Sequence, residues 1–160
     1  MKSMNELRKR KAISPVIATV ILVAVAITVA VAVAYWMGGI AGQYTQFEKV
    51  EIQTAICTFD TNGNWKIEIK LKNSGSKVST LTNIFVNSVE TELYDQLQAT
   101  AGKITTSLTT VTPFSIGSGD SKSASVWIGK GYGTLSSGTT VEIKIHSAGG
   151  MDYIKLVQLI

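Results

Sequence analysis

The chain has one cysteine, one histidine and two prolines among 160 residues, and only 16% of its side chains are charged. A single thiol, Cys57, closes no intrachain disulfide, so an exterior domain must be held together by packing alone. Cys57 and His146 stand far apart, without metal-ligand spacing, which argues against a zinc or thiol catalytic centre. The chain contains no Asn-x-Ser/Thr sequon, so N-glycosylation is not expected. No repeat of solenoid or propeller period is present, and no segment is degenerate enough in composition to read as disordered. The glycine-rich run at 129–133 matches neither the dinucleotide nor the P-loop fingerprint and lacks the strand-then-helix context both need. Residues 117–121 read as turn chemistry and not as a nucleophile elbow. With no acid/base pair, cofactor loop or metal cluster to assign, the chain reads as no enzyme, with no catalytic, cofactor-binding or metal site.

The most informative absence is that of charge between Lys11 and Glu48. Residues 16–37 are almost pure Val, Ala, Ile and Leu, broken only by Thr19 and Thr28 before Tyr35, Trp36 and Met37. These 22 residues, as a helix, rise about 33 Å against a hydrocarbon core of about 30 Å. The alternation of Val and Ala from Val23 to Ala34 has a period of two, yet a lone strand leaves its backbone unsatisfied in lipid and a helix does not. Insertion is favourable by about 3–7 kcal/mol over the Val, Ile and Leu residues, a moderate anchor. Ala26, Ala30, Ala34, Gly38 and Gly42 recur at intervals of four and form a seam of small side chains that lets another helix approach closely. Ala and Gly are also common in membrane spans generally, which accounts for the same residues without a packing role. Gly38 and Gly39 are a place for the helix to bend, and Tyr35 and Trp36 sit where an interfacial aromatic belt is expected.

What charge there is lies unevenly. Of 15 basic and 11 acidic residues, five basic and one acidic fall within residues 1–12, which leaves ten of each beyond. The net charge of +4 therefore belongs to the N-terminal tail, and a nucleic-acid partner is not indicated. A basic block abutting an apolar helix holds that end on the cytoplasmic side, so the C-terminal part faces outward.

From Val50 onward the pattern changes to short strands separated by Gly, Ser and Asn turns. In residues 65–72, Trp65, Ile67, Ile69 and Leu71 alternate with Lys66, Glu68, Lys70 and Lys72, and an Asn62-Gly63 hairpin signal precedes them. Further strands are expected at 50–59, 81–89, 122–128, 139–146 and 153–159, with a weaker one at 105–112. The fold expected is of the α+β class: a long N-terminal hydrophobic helix followed by an all-β, immunoglobulin-like sandwich. His146 falls on the solvent face of its strand. Cys57 reads as a small hydrophobe, with an exposed crosslinking thiol as the alternative. Thr105, Thr106, Ser107, Thr109 and Thr110 are either O-glycan acceptors or ordinary strand residues.

A secretory signal peptide also begins with positive charge. Here the apolar run exceeds the usual stretch of about 7–15 residues, and Ala32-Val33-Ala34 lies too deep for an ordinary cleavage site. The sequence Arg8-Lys9-Arg10-Lys11-Ala12-Ile13-Ser14-Pro15-Val16-Ile17, running into an unbroken Val/Ala/Ile helix, instead resembles the class III leader and N-terminal helix of archaeal type IV pilins. The resemblance is specific over about 30 residues and looser at Leu71-Lys72-Asn73-Ser74-Gly75 and Gly138-Thr139-Thr140-Val141. It implies processing by a prepilin peptidase at Arg10, Lys11, Ala12 and Ile13, with the scissile bond between Ala12 and Ile13. The domains implied are a removed leader at 1–12, a transmembrane and filament-core helix at 13–49 and a head at 50–160.

Cleavage removes the charged tether and leaves a neutral apolar helix free to exchange lipid for a bundle of identical helices. Pro15 becomes the third residue of the new chain, where its missing N–H costs nothing. One departure stands out: the bacterial relatives carry Glu at the fifth mature position, and here that position is Ile17, which removes a docking partner for the new amino group and favours the archaeal branch.

The function implied is a structural subunit of an archaeal type IV adhesion pilus, a homopolymer. Its other partners would be the membrane before assembly, the prepilin peptidase, a pilus assembly ATPase and a membrane platform protein. The location implied is the cell membrane for the precursor and the cell surface for the filament. Two alternatives stay open: an archaellin of the swimming filament, and a single-span anchored binding module whose helix never leaves lipid.

Overall fold

The structure is a computed structural model that describes residues 15–160. The expected processing site at Arg10, Lys11, Ala12 and Ile13 lies outside the described residues. Two compact units divide between Thr45 and Gln46.

The first unit is one helix, α1 (Pro15–Tyr44). It continues through Gly38 and Gly39, so the expected bend does not end it. The two threonines inside the apolar run place no free hydroxyl on its surface: Thr19 Oγ1 donates to the Val16 carbonyl and Thr28 Oγ1 to the Ala24 carbonyl, each at 2.8 Å. Such back-bonding is how a helix carries Thr through a medium without water.

The second unit, Gln46–Ile160, contains nine strands: β1 (Val50–Phe59), β2 (Trp65–Asn73), β3 (Ser79–Val86), β4 (Val89–Glu90), β5 (Ile104–Thr106), β6 (Phe114–Ile116), β7 (Ser121–Ile128), β8 (Thr140–Ser147) and β9 (Asp152–Gln158). One sheet has the order β1-β2-β7-β5 and the other β4-β3-β8-β9, with β6 also pairing β3. The paired strands are antiparallel throughout. The period-two pattern dictates which face each sheet buries. Ile67, Ile69 and Leu71 of β2, Val126 and Ile128 of β7, and Val141, Ile143 and Ile145 of β8 are buried in one core shared by the two sheets.

Two bulges correct the simple alternation. In β1 the register shifts between Ile52 and Thr54, so Val50 and Cys57, seven residues apart, both face inward, and Ile56 is turned out. In β3 a shift between Leu81 and Asn83 lets Leu81 and Ile84 share the core side. An extra residue reverses the parity of everything after it.

The expected strand at 81–89 ends earlier. Asn87 and Ser88 both have positive φ (50° and 66°) and make a two-residue turn, after which Val89 and Glu90 pair back on Val86 and Phe85. Positive φ at both central residues is the requirement of a type I′ hairpin, here met without glycine. The expected strand at 105–112 shrinks to β5. Thr105 and Thr106 are fully buried there, with hydroxyls donating to the Gln98 and Ser125 carbonyls at 2.9 and 3.1 Å. Burial removes these two as O-glycan acceptors. Cys57 is 9% exposed and packs in the core as a small hydrophobe.

The core lies wholly between Val50 and Leu159, and α1 contributes no buried side chain. Residues 46–160 should therefore fold alone and unfold cooperatively. In that fragment, Ile67→Ala should cost about 2–5 kcal/mol in urea or guanidinium titration. Glu68→Ala, one residue along on the wet face, should stay within about 0.5 kcal/mol.

Candidate functional site

Two regions are built for more than packing: the surface of α1 and the end of the second unit where the chain enters it. No side chain of α1 is buried, and most of its Val, Ile and Leu side chains are more than half exposed. A helix apolar on all sides belongs where lipid or other helices surround it. α1 is long and apolar enough to cross a membrane. Ala26, Ala30, Ala34, Gly38 and Gly42 are all exposed, and a Cβ built at Gly38 or Gly42 would meet nothing within 4 Å. Steps of four residues advance about 40° beyond a full turn, so these positions trace a shallow stripe winding round the helix and not a straight line.

The entry end of the second unit is closed by a polar knot. The inward row of β2 runs Trp65, Ile67, Ile69, Leu71 and then Asn73, which is fully buried. Its side-chain amide donates to the Lys77 carbonyl (2.7 Å) and the Ile116 carbonyl (2.9 Å), and its Oδ1 accepts from the Gly75 N–H (2.8 Å). Its backbone N–H donates to the Asp120 carbonyl and its own carbonyl accepts from Gly119. The entering segment joins the same knot: Ser74 and Gly75 N–H groups donate to the Lys49 carbonyl, and those of Ser76 and Lys77 to the Phe47 carbonyl.

Glycine is required at position 75 because a Cβ there would lie 2.5 Å from the Phe47 oxygen and 2.7 Å from the Lys49 nitrogen. Ser79 and Ser147 end the inward rows of β3 and β8 in the same way, both fully buried. Ser79 donates to Glu48 Oε1 at 2.5 Å, and Tyr153 approaches the same oxygen at 3.4 Å. Burial, then the nearby Glu48 charge, pushes the Tyr153 phenol up.

Asn73-Ser74-Gly75 has the composition of the Gly, Ser and Asn turns expected between strands, which hides the knot in the sequence. The available signal was parity: an Asn standing at the fifth inward position of a strand must be buried, and a buried amide must be bonded.

At the opposite end of β2, a wide cleft of about 720 Å³ is lined by Phe59, Asp60, Asn62, Trp65, Lys130 and Leu135, among others. Its carboxylate is occupied by its own loop. Asp60 Oδ1 accepts from the backbone N–H of Asn62 (2.8 Å) and Asn64 (3.0 Å), and Oδ2 from the Asn64 amide (3.0 Å). The Asn64 side chain first, then its backbone, hold the Asp60 carboxyl below the usual range. Gly129 begins the loop at 129–133 because a Cβ there would collide with the Thr100 carbonyl. His146 is on the outer face of β8, where Nδ1 lies 2.5 Å from Asp152 Oδ1. Among the described residues, no group of three or more His, Cys, Asp or Glu side chains converges to hold a metal ion.

One long apolar helix followed by antiparallel β-sheets defines the class of this chain as α+β. No protein-family model and no curated protein sequence matches it. Among solved structures, a chain described as the archaellum periplasmic stator protein FlaG from Sulfolobus acidocaldarius is similar over 69% of this chain and 100% of its own length. The identity is 16% and the TM-score 0.43.

Two outcomes follow from this geometry. Asn73→Ala strands buried donors and acceptors, so it should destabilise the 46–160 fragment by about 1–3 kcal/mol in chemical denaturation. The His146 hydrogen bond, then its charge, holds the Asp152 carboxyl down, so the carboxylate's contribution is present above about pH 4 and fades as pH falls through the depressed value. An NMR titration should place Asp152 below its ordinary midpoint and return it toward that midpoint in His146→Ala.

Proposed function

We propose that the chain is a structural subunit of an archaeal type IV pilus, processed between Ala12 and Ile13 and polymerising through α1. The observation that carries this reading is a helix of 30 residues with no buried side chain, whose two threonine hydroxyls within the apolar run are bonded back to its own carbonyls. It supports membrane residence before assembly and a filament core afterwards, because both surround a helix with apolar groups. The seam from Ala26 to Gly42 supports close helix–helix approach, since small residues at intervals of four bring backbones together. Identical subunits joined by a contact that does not close give a fibre, with the β-domains left on its surface.

The second unit supports the same assignment. Its strand order β1-β2-β7-β5 corresponds to the A-B-E-D sheet of an immunoglobulin-like sandwich and β3-β8-β9 to the C-F-G sheet, with β4 beside β3. A head of this kind, closed at the chain-entry end by the Asn73 knot and independent of the helix for its core, is suited to display outside a filament. The partners of this reading are further copies of the chain, the membrane, a prepilin peptidase, an assembly ATPase and its platform protein.

N-terminal sequencing of fibres sheared from cells that express the gene should find a subunit beginning at Ile13. Replacing Lys11 and Ala12 by Glu should leave unprocessed precursor and bare cells. An intact Met1 in the fibres, or a start near Tyr35, contradicts the proposal. Loss of swimming on deletion of the gene would make the subunit an archaellin.

A further inference from the structure

The ten basic and ten acidic residues beyond position 12 cancel in sum, but the outer surfaces of the two sheets carry opposite balances of charge. The outer face of the β1-β2-β7-β5 sheet carries Lys66, Lys70 and Lys72 along β2, against Glu68. Lys66 reaches Glu68 at 3.6 Å, whereas Lys70 and Lys72 form no ion pair among the described residues. Flanking rows add no acid at those levels: Thr54 and Ser123 stand beside Lys70, and Thr58 and Trp127 beside Lys66. Only Glu51 stands across from Lys72, and it is already paired with Lys49 at 2.8 Å.

The outer face of the other sheet has the opposite balance. Glu90, Glu142 and Asp152 lie there against Lys144. Lys144 is drawn over the Phe85 ring, 4.6 Å from its centroid, and Asp152 bonds the one histidine. Glu142 has no ion pair among the described residues, and Glu90 accepts from the neutral groups of Asn83 and Tyr94.

Each face also turns out apolar side chains that a lone, water-facing sheet has no use for. Ile56 is 59% exposed on β1, and Ile154 and Leu156 are 56% and 64% exposed on β9. β1 and β9 lie side by side along the same flank of the sandwich, as the shared lining of Val50–Ile52 and Asp152–Lys155 shows. Counting inward from that flank, the first sheet runs β1, β2, β7, β5 and the second β9, β8, β3, β4. A copy shifted along the sheet normal therefore sets β1 over β9 and β2 over β8. Shifted also by two residues along the strands, that alignment sets Lys66 over Glu142, Glu68 over Lys144, Lys70 beside His146 and Asp152, and Ile56 over Ile154, whereas without the slip Lys70 would meet Lys144 and Glu68 would meet Glu142.

We propose that the outer β1-β2-β7-β5 face of one copy docks on the outer β4-β3-β8-β9 face of a second copy. The two faces differ, so the contact is heterologous, and repetition extends a row of heads and does not close a dimer. The opposite charges supply orientation and salt sensitivity, and the isoleucine and leucine edge supplies the area removed from water. The inference deepens the filament reading and rests on it, because α1 assembly is what holds heads at the concentration the contact needs.

The test uses the full chain in detergent, with copies of natural isotope composition mixed equally with 15N-labelled copies. Carbodiimide joins a lysine amine to a carboxylate without a spacer, and mass spectrometry separates links between copies from links within one. Mixed-isotope links should join Lys66, Lys70 or Lys72 to Glu90, Glu142 or Asp152, and fall about fivefold when salt rises from about 0.05 M to about 0.5 M. The double variant Lys70→Glu with Lys72→Glu should lose them, and mixing it with the double variant Glu90→Lys with Glu142→Lys should restore links between the exchanged charges.

Mixed-isotope links confined to like faces would overturn the docking, as would their absence in preparations whose helices have associated. Fibres that assemble and bundle normally from the Lys70→Glu, Lys72→Glu chain would overturn the docking alone. Failure of the unaltered chain to form fibres would instead overturn the filament reading.

Discussion

The molecule is governed by a helix of which, among the described residues, no side chain is buried. From Val16 to Ala34, α1 presents Val, Ile, Leu and Ala on every side, and the two threonine hydroxyls on the way are bonded back to the helix itself. In water such a surface is costly at about 25 cal/mol per Å² of apolar area. Two environments remove that cost, lipid and a bundle of similar helices, and beyond its threonines the polar side chains of α1, Tyr35, Trp36, Gln43 and Tyr44, lie in its C-terminal part. A segment built largely from Val and Ala, with modest insertion energy, is suited to pass between them.

The second unit holds its own core and its own hydrogen bonds. Its core is complete without α1, and its chain-entry end is sealed by hydrogen bonds instead of apolar side chains. Asn73, Ser79 and Ser147 close three inward rows where β2, β3 and β8 meet the entering segment, and the carbonyls of Phe47 and Lys49 take up the N–H groups of the 74–77 turn. A buried polar layer that is fully bonded fixes one geometry, whereas an apolar layer tolerates sliding. The path from helix to head is thus anchored at the first residues of the head itself, with Gly75 leaving room for the backbone to pass.

Much of this was legible in the residues, and the failures have definite causes. α1 was evident because charge is absent over its whole length. The faces of β2 and β8 were evident because alternation is strict there, and strict alternation admits one burial pattern. Alternation failed where a bulge intervened: Ile56 turned outward in β1 because one extra residue near Gln53 reversed the parity. The β3–β4 turn was missed because Asn87-Ser88 adopts positive φ without the glycine that normally advertises it.

Thr105 and Thr106 fit either O-glycan acceptors or ordinary strand residues in sequence, and their hydroxyls are bonded to carbonyls inside the sandwich. The role of Asn73 was hidden by its Ser-Gly neighbours, which read as an exposed turn. Segregation of charge between the two outer faces was invisible in the total, since sheet order and not chain order decides which charges share a surface.

The most direct test of the central claim is to take the chain that begins at Ile13, purified in detergent, and dilute the detergent below its micelle concentration while following sedimentation and electron micrographs. The account predicts fibres in which the α1 amides are protected from hydrogen exchange and the heads retain their native spectrum. Dispersed monomers with α1 exposed to solvent would contradict it.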